Sequence, residues 1–289
     1  MSWRTIVVAN RAKLDLQLGS MVVRGETTIK VHLSEIAMLI IENTAVSLTA
    51  ALLCELTKKK VKIIFCDEQR NPSSELISYY GCHDSSAKIK LQQNWQDLTK
   101  GEIWRLVIKE KITWQKNLLK LSGNFEAATK LEQYATEVTC GDETNREGHA
   151  AKVYFNALFG KEFSRGDENP INAALNYGYS IFLSMINREI VANGYLTQIG
   201  IFHDNMFNQF NLGSDLMEPF RPLVDELVYD IKPIKFEKEE KTQLLSVLNQ
   251  TLIIENSQQY LINVVKIYCK SIFEALNQND LSLVRFFRR

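Results

Sequence analysis

The stretch from Trp104 to Leu118, WRLVIKEKITWQKNL, sets the character of the larger part of this chain. Its apolar residues recur at intervals of three and four, the spacing of one buried face of an α-helix. Residues 13–32, KLDLQLGSMVVRGETTIKVH, instead alternate polar and apolar side chains and are interrupted by glycine-containing turns. Such alternation is typical of short strands with one buried face. The chain therefore divides into a β part followed by a helical part.

We predict a two-domain α+β fold. A small N-terminal β-sandwich domain occupies residues 1–80, because its short, closely spaced strands suit two packed antiparallel sheets. Within it, Ser47 is the predicted cap of a helix-like stretch. A larger all-α catalytic domain occupies residues 81–289, and the segment from Tyr80 to Ser86 is the predicted linker.

The predicted helices of the second part follow from apolar periodicity and from capping residues. Asn169-Pro170 is a favourable helix start and Gly194 a natural stop. Ser214 is a candidate cap for a helix beginning near Asp215. The remaining predicted helices cover residues 104–118, 125–138, 145–158, 237–254 and 257–278.

Composition restricts the function classes. The chain has 289 residues, and its 34 Lys and Arg balance 34 Asp and Glu, so net charge gives no argument for nucleic acid. Five cysteines without a CxxC pair argue against a zinc site or a disulfide framework and favour a reducing cytoplasm. The apolar runs are too short for a signal peptide or a membrane span, and neither a phosphate-binding glycine loop nor a GxSxG nucleophile motif is present.

Metal-competent side chains gather in three places of the helical part. Glu147 opens a helix, His203 lies in a loop with apolar neighbours, and Asp215 and Glu218 are three residues apart on one helix face. Each has a structural alternative, since carboxylates stabilise a helix start and a lone histidine is commonly a hydrogen-bonded structural group. Two carboxylates and one imidazole together form a mixed oxygen and nitrogen donor set. That set suits Mg²⁺ or Mn²⁺ when phosphate oxygens and water complete the coordination.

The other histidines fit such a site less well. His32 lies in a predicted strand and His83 in the predicted linker. His149 is two residues from Glu147 and therefore points to a different face of the same helix. We interpret all three as structural or surface groups.

Four blocks of sequence, in this order and spacing, resemble the CRISPR-associated spacer-acquisition integrase, the universal adaptation protein of CRISPR systems. They are residues 147–155 (EGHAAKVYF), residues 169–179 (NPINAALNYGY), His203 and residues 214–222 (SDLMEPFRP). The resemblance covers nearly the whole chain, and a short β part joined to a helical part is similar as well. Length and overall pattern are nearest to the type II-A form.

The resemblance implies a catalytic metal site built from Glu147, His203 and Glu218, with Mg²⁺ or Mn²⁺ as the ion. Many members have aspartate where Glu218 stands, and the extra methylene group changes the reach of this ligand. Asp215 matches a further acidic position near the site, and Arg221 follows Glu218 within the last block. Both are expected beside the metal or next to DNA.

The resemblance also implies the reaction and the partners. The 3′-hydroxyl of a captured foreign DNA fragment attacks a phosphodiester at the edge of a CRISPR repeat, which inserts the fragment into the array without a nucleotide cofactor. Expected partners are double-stranded DNA (fragment and leader-repeat target), a second copy of the chain bound through the β domain, and a small ferredoxin-like companion protein, with four copies of the chain to two of the companion. For the type II-A form they extend to the effector nuclease and a DNA-end-binding ring protein.

Two other functions stay open at this point. A metal-dependent, structure-specific DNA endonuclease would use the same three ligands with water as the nucleophile, and a DNA-binding scaffold would hold a structural metal. Basic clusters at Lys58–Lys60, around Glu147 and at the C-terminus are candidate phosphate contacts, although the lysine run also suits a helix end. The C-terminal segment RFFRR, residues 285–289, suits either DNA or a partner protein.

Overall fold

The computed structural model describes residues 4–78 and 82–289. By its internal contacts the chain divides into two compact units, Met1–Ser85 with Val191–Gly194, and Ser86–Ile190 with Tyr195–Arg289. The first unit is rich in strands and the second is mostly helical, so the predicted mixed α+β class is confirmed. Tyr80, the predicted start of the linker, lies outside the described residues, and a helix already begins at Ser85.

Eight strands form two four-stranded sheets in the first unit. They are β1 (Arg4–Val8), β2 (Lys13–Gln17), β3 (Ser20–Arg24), β4 (Thr28–His32), β5 (Ile36–Ile41), β6 (Ser47–Leu48), β7 (Lys62–Cys66) and β8 (Pro72–Leu76). One sheet has the order β1-β5-β7-β8 and the other β4-β3-β2-β6. The expectation of purely antiparallel sheets is wrong, because β5 pairs in parallel with both β1 and β7. Helix α1 (Ala50–Lys58) lies in the connection from β5 to β7, as a parallel pair requires.

Both sheets and α1 share one apolar core. Leu14 and Met21 from one sheet, Ile36 and Leu39 from the other, and Leu52 from α1 belong to the same buried cluster. Burial of these side chains removes apolar surface from water and holds the sheets together.

The cap of α1 is Thr49, whose hydroxyl accepts a hydrogen bond from the Leu52 amide at 3.4 Å. The predicted capping role of Ser47 is wrong, because Ser47 is part of strand β6 and pairs with Lys13. Both residue types cap helices well, so the sequence could not distinguish two candidates only two positions apart.

The second unit is built around one long helix. The helices that follow the first unit are α2 (Ser85–Gln93), α3 (Asp97–Leu121), α4 (Phe125–Glu137), α5 (Arg146–Phe159), α6 (Pro170–Ala192), α7 (Asn211–Met217), α8 (Arg221–Ile231), α9 (Lys238–Leu245) and α10 (Leu261–Gln278). Helix α6 begins as predicted, since the Asn169 side chain accepts from the Asn172 amide at 2.8 Å, and it ends before Gly194 at φ 86°. Among the described helices, none has the length and apolarity to cross a membrane.

The second unit is not all-α as predicted. Strands β9 (Thr251–Ile254) and β10 (Ser257–Tyr260) form an antiparallel hairpin where the sequence analysis placed helices over 237–254 and 257–278. Glu255 and Asn256 connect the strands with positive φ angles of 50° and 59°, the backbone of a tight two-residue hairpin turn. The run of apolar residues in β9 fits either period, and only the turn decides for a strand.

The C-terminal residues pack against their own unit, an arrangement that the sequence analysis did not anticipate. Phe287 is fully buried and stacks on Phe220, with ring centroids 4.5 Å apart. The backbone of Arg288 exchanges two hydrogen bonds with Ile253 of β9, at 2.7 and 2.8 Å. Its guanidinium also pairs with Glu110 of α3 at 2.5 Å. These contacts leave Phe287 and the Arg288 backbone unavailable to DNA or to a partner.

Candidate metal centre

Glu147 lies in the first turn of α5. Asn145 caps that helix by accepting a hydrogen bond from the Gly148 amide at 3.2 Å. Asp142 accepts from the amides of Arg146 and Glu147, each at 2.9 Å. The helix start is thus satisfied by other side chains, so the Glu147 carboxylate is not needed as a cap. Its side chain is one-third exposed, at 33%.

A buried carboxylate holds His203 in place. Asp215 is completely buried and accepts backbone hydrogen bonds from Ile201 at 2.7 Å and from Phe202 and His203 at 3.1 Å. It also accepts from Nδ1 of the His203 ring at 2.6 Å. This last hydrogen bond raises the pKa of His203 above its usual value, and it leaves Nε2 as the ring atom open to a ligand. Asp215 therefore orients His203, as expected of a residue beside the site.

The loop around Asp215 requires a glycine at one position. A Cβ atom on Gly200 would lie 2.6 Å from a carboxylate oxygen of Asp215 and still closer to the carbonyl oxygen of His203. Only glycine permits so close an approach of backbone to carboxylate. The conformation that delivers three amides to Asp215 therefore depends on Gly200.

Aromatic side chains fix the plane of the His203 ring. Trp104 of α3 stacks on Phe202 with ring centroids 4.3 Å apart and planes 5° apart. The His203 ring meets both of these rings edge-on, at 5.6 Å from Trp104 and 5.5 Å from Phe202. The imidazole is thus constrained by packing as well as by its hydrogen bond. Farther along the same loop, Met206 and Phe207 are each 87% exposed.

Glu218 lies between two helices rather than inside the predicted one. Helix α7 contains both Ser214 and Asp215, so Ser214 is not the cap that the sequence analysis expected. Glu218 begins the short turn that joins α7 to α8. Its side chain is buried and forms an ion pair with Arg221, with Nε and the carboxylate oxygen 2.9 Å apart. Arg221 therefore contacts a candidate ligand directly.

Lys111 of α3 is the residue that the sequence analysis missed. Its ammonium contacts the Glu147 carboxylate at 2.5 Å and also contacts the Glu218 carboxylate. The positive charge of Lys111 is the main reason that the pKa of Glu147 is lowered. Burial opposes the charged form of Lys111, yet the charges of Glu218 and Glu147 outweigh it and raise the pKa of this lysine. The available signal was a lysine seven residues after Trp104, on the apolar face of a helix.

The predicted residues thus converge, although not at the spacing of a closed ligand set. Glu147 and Glu218 meet at one ammonium, and the charge of His203 contributes to the lowered pKa of Glu147. Within residues 4–78 and 82–289, the only trio of His, Cys, Asp or Glu whose ligand atoms lie within 4.8 Å of one another is the consecutive run Cys82, His83 and Asp84. Two carboxylates and an imidazole are nevertheless donor types that fit Mg²⁺ or Mn²⁺. The Lys111 ammonium between the two carboxylates marks a position that already holds a positive charge.

Behind Arg221 lies a second buried carboxylate. The Arg221 guanidinium stacks over the Tyr179 ring at 4.7 Å. The hydroxyl groups of Tyr179 and Tyr154 both donate to Asp225, from Tyr154 at 2.9 Å. Burial raises the pKa of Asp225 to about 6. This cluster ties α5, α6 and α8 together behind Glu218.

Comparison with known proteins decides the family. The profile described as CRISPR associated protein Cas1 matches residues 5–259. This chain belongs to the Cas1 family. The CRISPR-associated endonuclease Cas1 of Neisseria meningitidis serogroup C (strain 8013) is 37% identical over 262 residues, which is 88% of this chain and 86% of that protein. The predicted family is confirmed, and its curated member at 37% identity supports the expectation that the chain is an enzyme of the nuclease class.

Solved structures show that the fold is shared more widely. A casposase bound to integration product matches 98% of this Cas1 chain and 93% of its own chain, with a TM-score of 0.76 at 17% identity. A chain of a Cas6-RT-Cas1–Cas2 complex gives a TM-score of 0.74 at 17% identity, over 97% of this chain and 35% of that one. At such low identity these likenesses concern the fold alone.

Proposed function

We propose that this Cas1 protein is a CRISPR adaptation integrase that inserts captured foreign DNA fragments into the CRISPR array. The reaction is metal-dependent transesterification, in which the 3′-hydroxyl of the fragment attacks the phosphodiester at the repeat boundary. The observation that carries the proposal is the meeting of Glu147 and Glu218 at one buried cation, beside a histidine that Asp215 orients. A cation position with oxygen and nitrogen donors is what phosphodiester transfer requires.

In this proposal Glu147, His203 through Nε2, and Glu218 hold Mg²⁺ or Mn²⁺. When bound, the ion neutralises phosphate oxygens and lowers the pKa of a coordinated hydroxyl. Asp215 favours the neutral imidazole tautomer with the hydrogen on Nδ1 and Nε2 unprotonated, because its carboxylate accepts the hydrogen bond from Nδ1. Arg221 holds one oxygen of Glu218 and so limits the rotation of that carboxylate. These contacts position the ligands before substrate arrives.

DNA would approach over the exposed side of this site. Arg146, which pairs with Glu137, and the exposed Lys152 lie nearly two turns apart on the helix that carries Glu147, and their positive charges suit phosphate groups. Met206 and Phe207 expose apolar side chains three and four residues after His203. Such apolar side chains suit contact with DNA bases, whereas the positive side chains suit the phosphate groups of the DNA backbone. Both kinds of side chain support the proposal that double-stranded or partly single-stranded DNA binds at the metal centre.

The partners follow from the same proposal. One structural neighbour comes from a Cas6-RT-Cas1–Cas2 complex, and another is a casposase bound to integration product. We propose that this chain forms a homodimer through residues 1–80. Two such dimers assemble with a dimer of the small ferredoxin-like companion protein on fragment and leader-repeat DNA. Assignment to type II-A, with its effector nuclease and DNA-end-binding ring protein, stays a prediction.

An integration assay with purified protein tests the proposal. A DNA fragment with free 3′ ends and a supercoiled plasmid carrying a repeat are incubated with Mn²⁺ or Mg²⁺ and the companion protein. The wild type is expected to form covalently joined product. Glu147→Gln, His203→Ala and Glu218→Gln are expected to lose it to background, since each removes a ligand.

His149→Ala is the matched control, because His149 is an exposed histidine two residues from Glu147. It is expected to join DNA as well as the wild type does. Wild-type joining by a folded His203→Ala protein would refute the assignment. Nicked or cleaved DNA without joined product would favour the alternative of a structure-specific endonuclease, which the name of the Neisseria relative supports.

A further inference from the structure

Lys111 of helix α3 places a positively charged side chain in the protein interior. Lys111 is 5% exposed, whereas a lysine ammonium normally stays in water. Val107 and Ile112, its neighbours on the same helix, are fully buried apolar residues. A buried ammonium is stable only when it is paired, because removing it from water without a partner is strongly unfavourable. The partners of Lys111 are therefore the reason that it can be there.

Those partners are two of the three proposed metal ligands. Lys111 contacts the carboxylates of Glu147 and Glu218, and Arg221 contacts the other oxygen of Glu218. Two negative and two positive side chains therefore balance, and the carboxylate pair is neutralised by the chain itself. A divalent ion would bind the same carboxylate oxygens, so it and the ammonium cannot both occupy the position between them.

We infer that Lys111 is a built-in counter-ion that holds Glu147 and Glu218 together in the metal-free protein and gives way when the metal binds. This inference rests on the proposed metal centre. The long, flexible stem of lysine allows the ammonium to move aside without a change in the backbone. Metal affinity is then set by an exchange of cations, and it is weaker than a bare pair of carboxylates would give.

Removal of the ammonium tests the exchange. In Lys111→Met the stem keeps its approximate volume while the charge is lost, so two unneutralised carboxylates face each other. Mn²⁺ binding to the DNA-free protein, measured by the electron paramagnetic resonance signal of free Mn²⁺, is expected to tighten about tenfold or more, since a competing positive charge is gone. In chelator, the melting temperature of the variant is expected to fall below that of the wild type, and Mn²⁺ is expected to restore it.

Lys116→Met is the matched control. Lys116 lies on the same helix and pairs with Glu132 at 3.0 Å, but Glu132 is 56% exposed and far less desolvated. It is expected to change neither Mn²⁺ affinity nor the response to chelator. The double variant Lys111→Met/Glu218→Gln removes one charge of each sign. In chelator it is expected to melt near the wild-type temperature and to bind Mn²⁺ more weakly than Lys111→Met.

The outcomes separate this inference from the proposed integration. A folded Lys111→Met protein that binds Mn²⁺ no more tightly than the wild type overturns the inference. So does a Lys111→Met protein that stays unfolded in excess Mn²⁺, together with a double variant that is no more stable. If Mn²⁺ affinity rises as expected but the wild type never joins DNA, the exchange stands and the proposed integration fails.

Discussion

Gly200 shows how much of the site depends on one missing side chain. The backbone from Gly200 to His203 wraps around the Asp215 carboxylate, and a Cβ atom at position 200 would overlap that carboxylate and the His203 carbonyl group. We expect Gly200→Ala to lower the free energy of unfolding by about 1–3 kcal/mol, as overpacking does elsewhere. Strand joining should fall much further, because the His203 ring would lose its orientation.

Denaturant unfolding and the integration assay check this prediction together. Gly166→Ala is the control, since the nearest atom to an added Cβ there is the Ser164 hydroxyl at an ordinary 3.7 Å. It should leave both measurements near wild type. Normal joining by Gly200→Ala would mean that the turn around Asp215 tolerates displacement and does not position His203.

Asp225 gives the protein a definite pH dependence. Its pKa of about 6 in the folded state exceeds the usual aspartate value because the carboxylate is buried. The folded protein therefore holds a proton that the unfolded chain has already released between about pH 4 and pH 6, so stability falls as pH rises through that window. The raised pKa of Asp225 corresponds to a loss of about 3 kcal/mol in the free energy of unfolding across this window.

The variant Asp225→Asn removes this titration while it keeps an oxygen acceptor for the two tyrosine hydroxyl groups. The difference in unfolding free energy between wild type and variant, measured at pH 4 and at pH 7, isolates the contribution of this one group. We expect the wild type to lose stability relative to the variant between the two values. A difference that does not change with pH would show that Asp225 titrates normally.

At the scale of elements, α3 connects the proposed metal centre to the C-terminal segment. One part of the helix carries Trp104 and Lys111 toward His203 and the two glutamates. Glu110 and Trp114 of the same helix contact the C-terminal residues Arg288 and Phe287. The C-terminal segment is thus a layer of the core that supports the same helix.

Phe287→Ala tests this supporting role. Phe287 fills the space between Trp114 and Phe220, and Phe220 is two residues from Glu218. Loss of a buried aromatic side chain costs about 3–5 kcal/mol in cores that cannot collapse. We expect a loss in that range by chemical denaturation. Phe125→Ala, a 66% exposed phenylalanine, is the control and should cost far less. Equal effects of the two substitutions would contradict a core role for Phe287.

At the scale of the whole molecule, the first unit offers an edge for self-association. Strand β4 is the end strand of its sheet, and Ile29 on it is 55% exposed. Exposed edge strands are normally covered, and the proposed homodimer would cover this one. We expect Ile29→Glu to shift sedimentation from dimer toward monomer, whereas Leu98→Glu, at a 71% exposed position of α3, should not. An unchanged dimer in Ile29→Glu would place the contact elsewhere.

Sequence reasoning recovered the parts of the molecule that depend on local patterns. The Asn169-Pro170 start of α6 is local and lies where it was predicted. The apolar spacing predicted residues 104–118 of α3 correctly, although the helix extends from Asp97 to Leu121. The hairpin at Glu255-Asn256 was missed because its apolar strand fits a helix equally well. Lys111 was missed because its role depends on Glu147 and Glu218, which lie 36 and 107 residues away in sequence. The pairing of distant charges follows from packing and leaves no local signal.

The charge of Lys111 also affects how this protein folds in the cell and how it can be purified. A site whose two carboxylates are already balanced by Lys111 and Arg221 does not depend on an ion during synthesis. We expect the chain to reach its native state when metal is scarce, to survive purification in chelating buffer, and to acquire its ion afterwards. Protein stored in chelating buffer should then be stable but inactive, and addition of Mn²⁺ would start the reaction at a chosen moment.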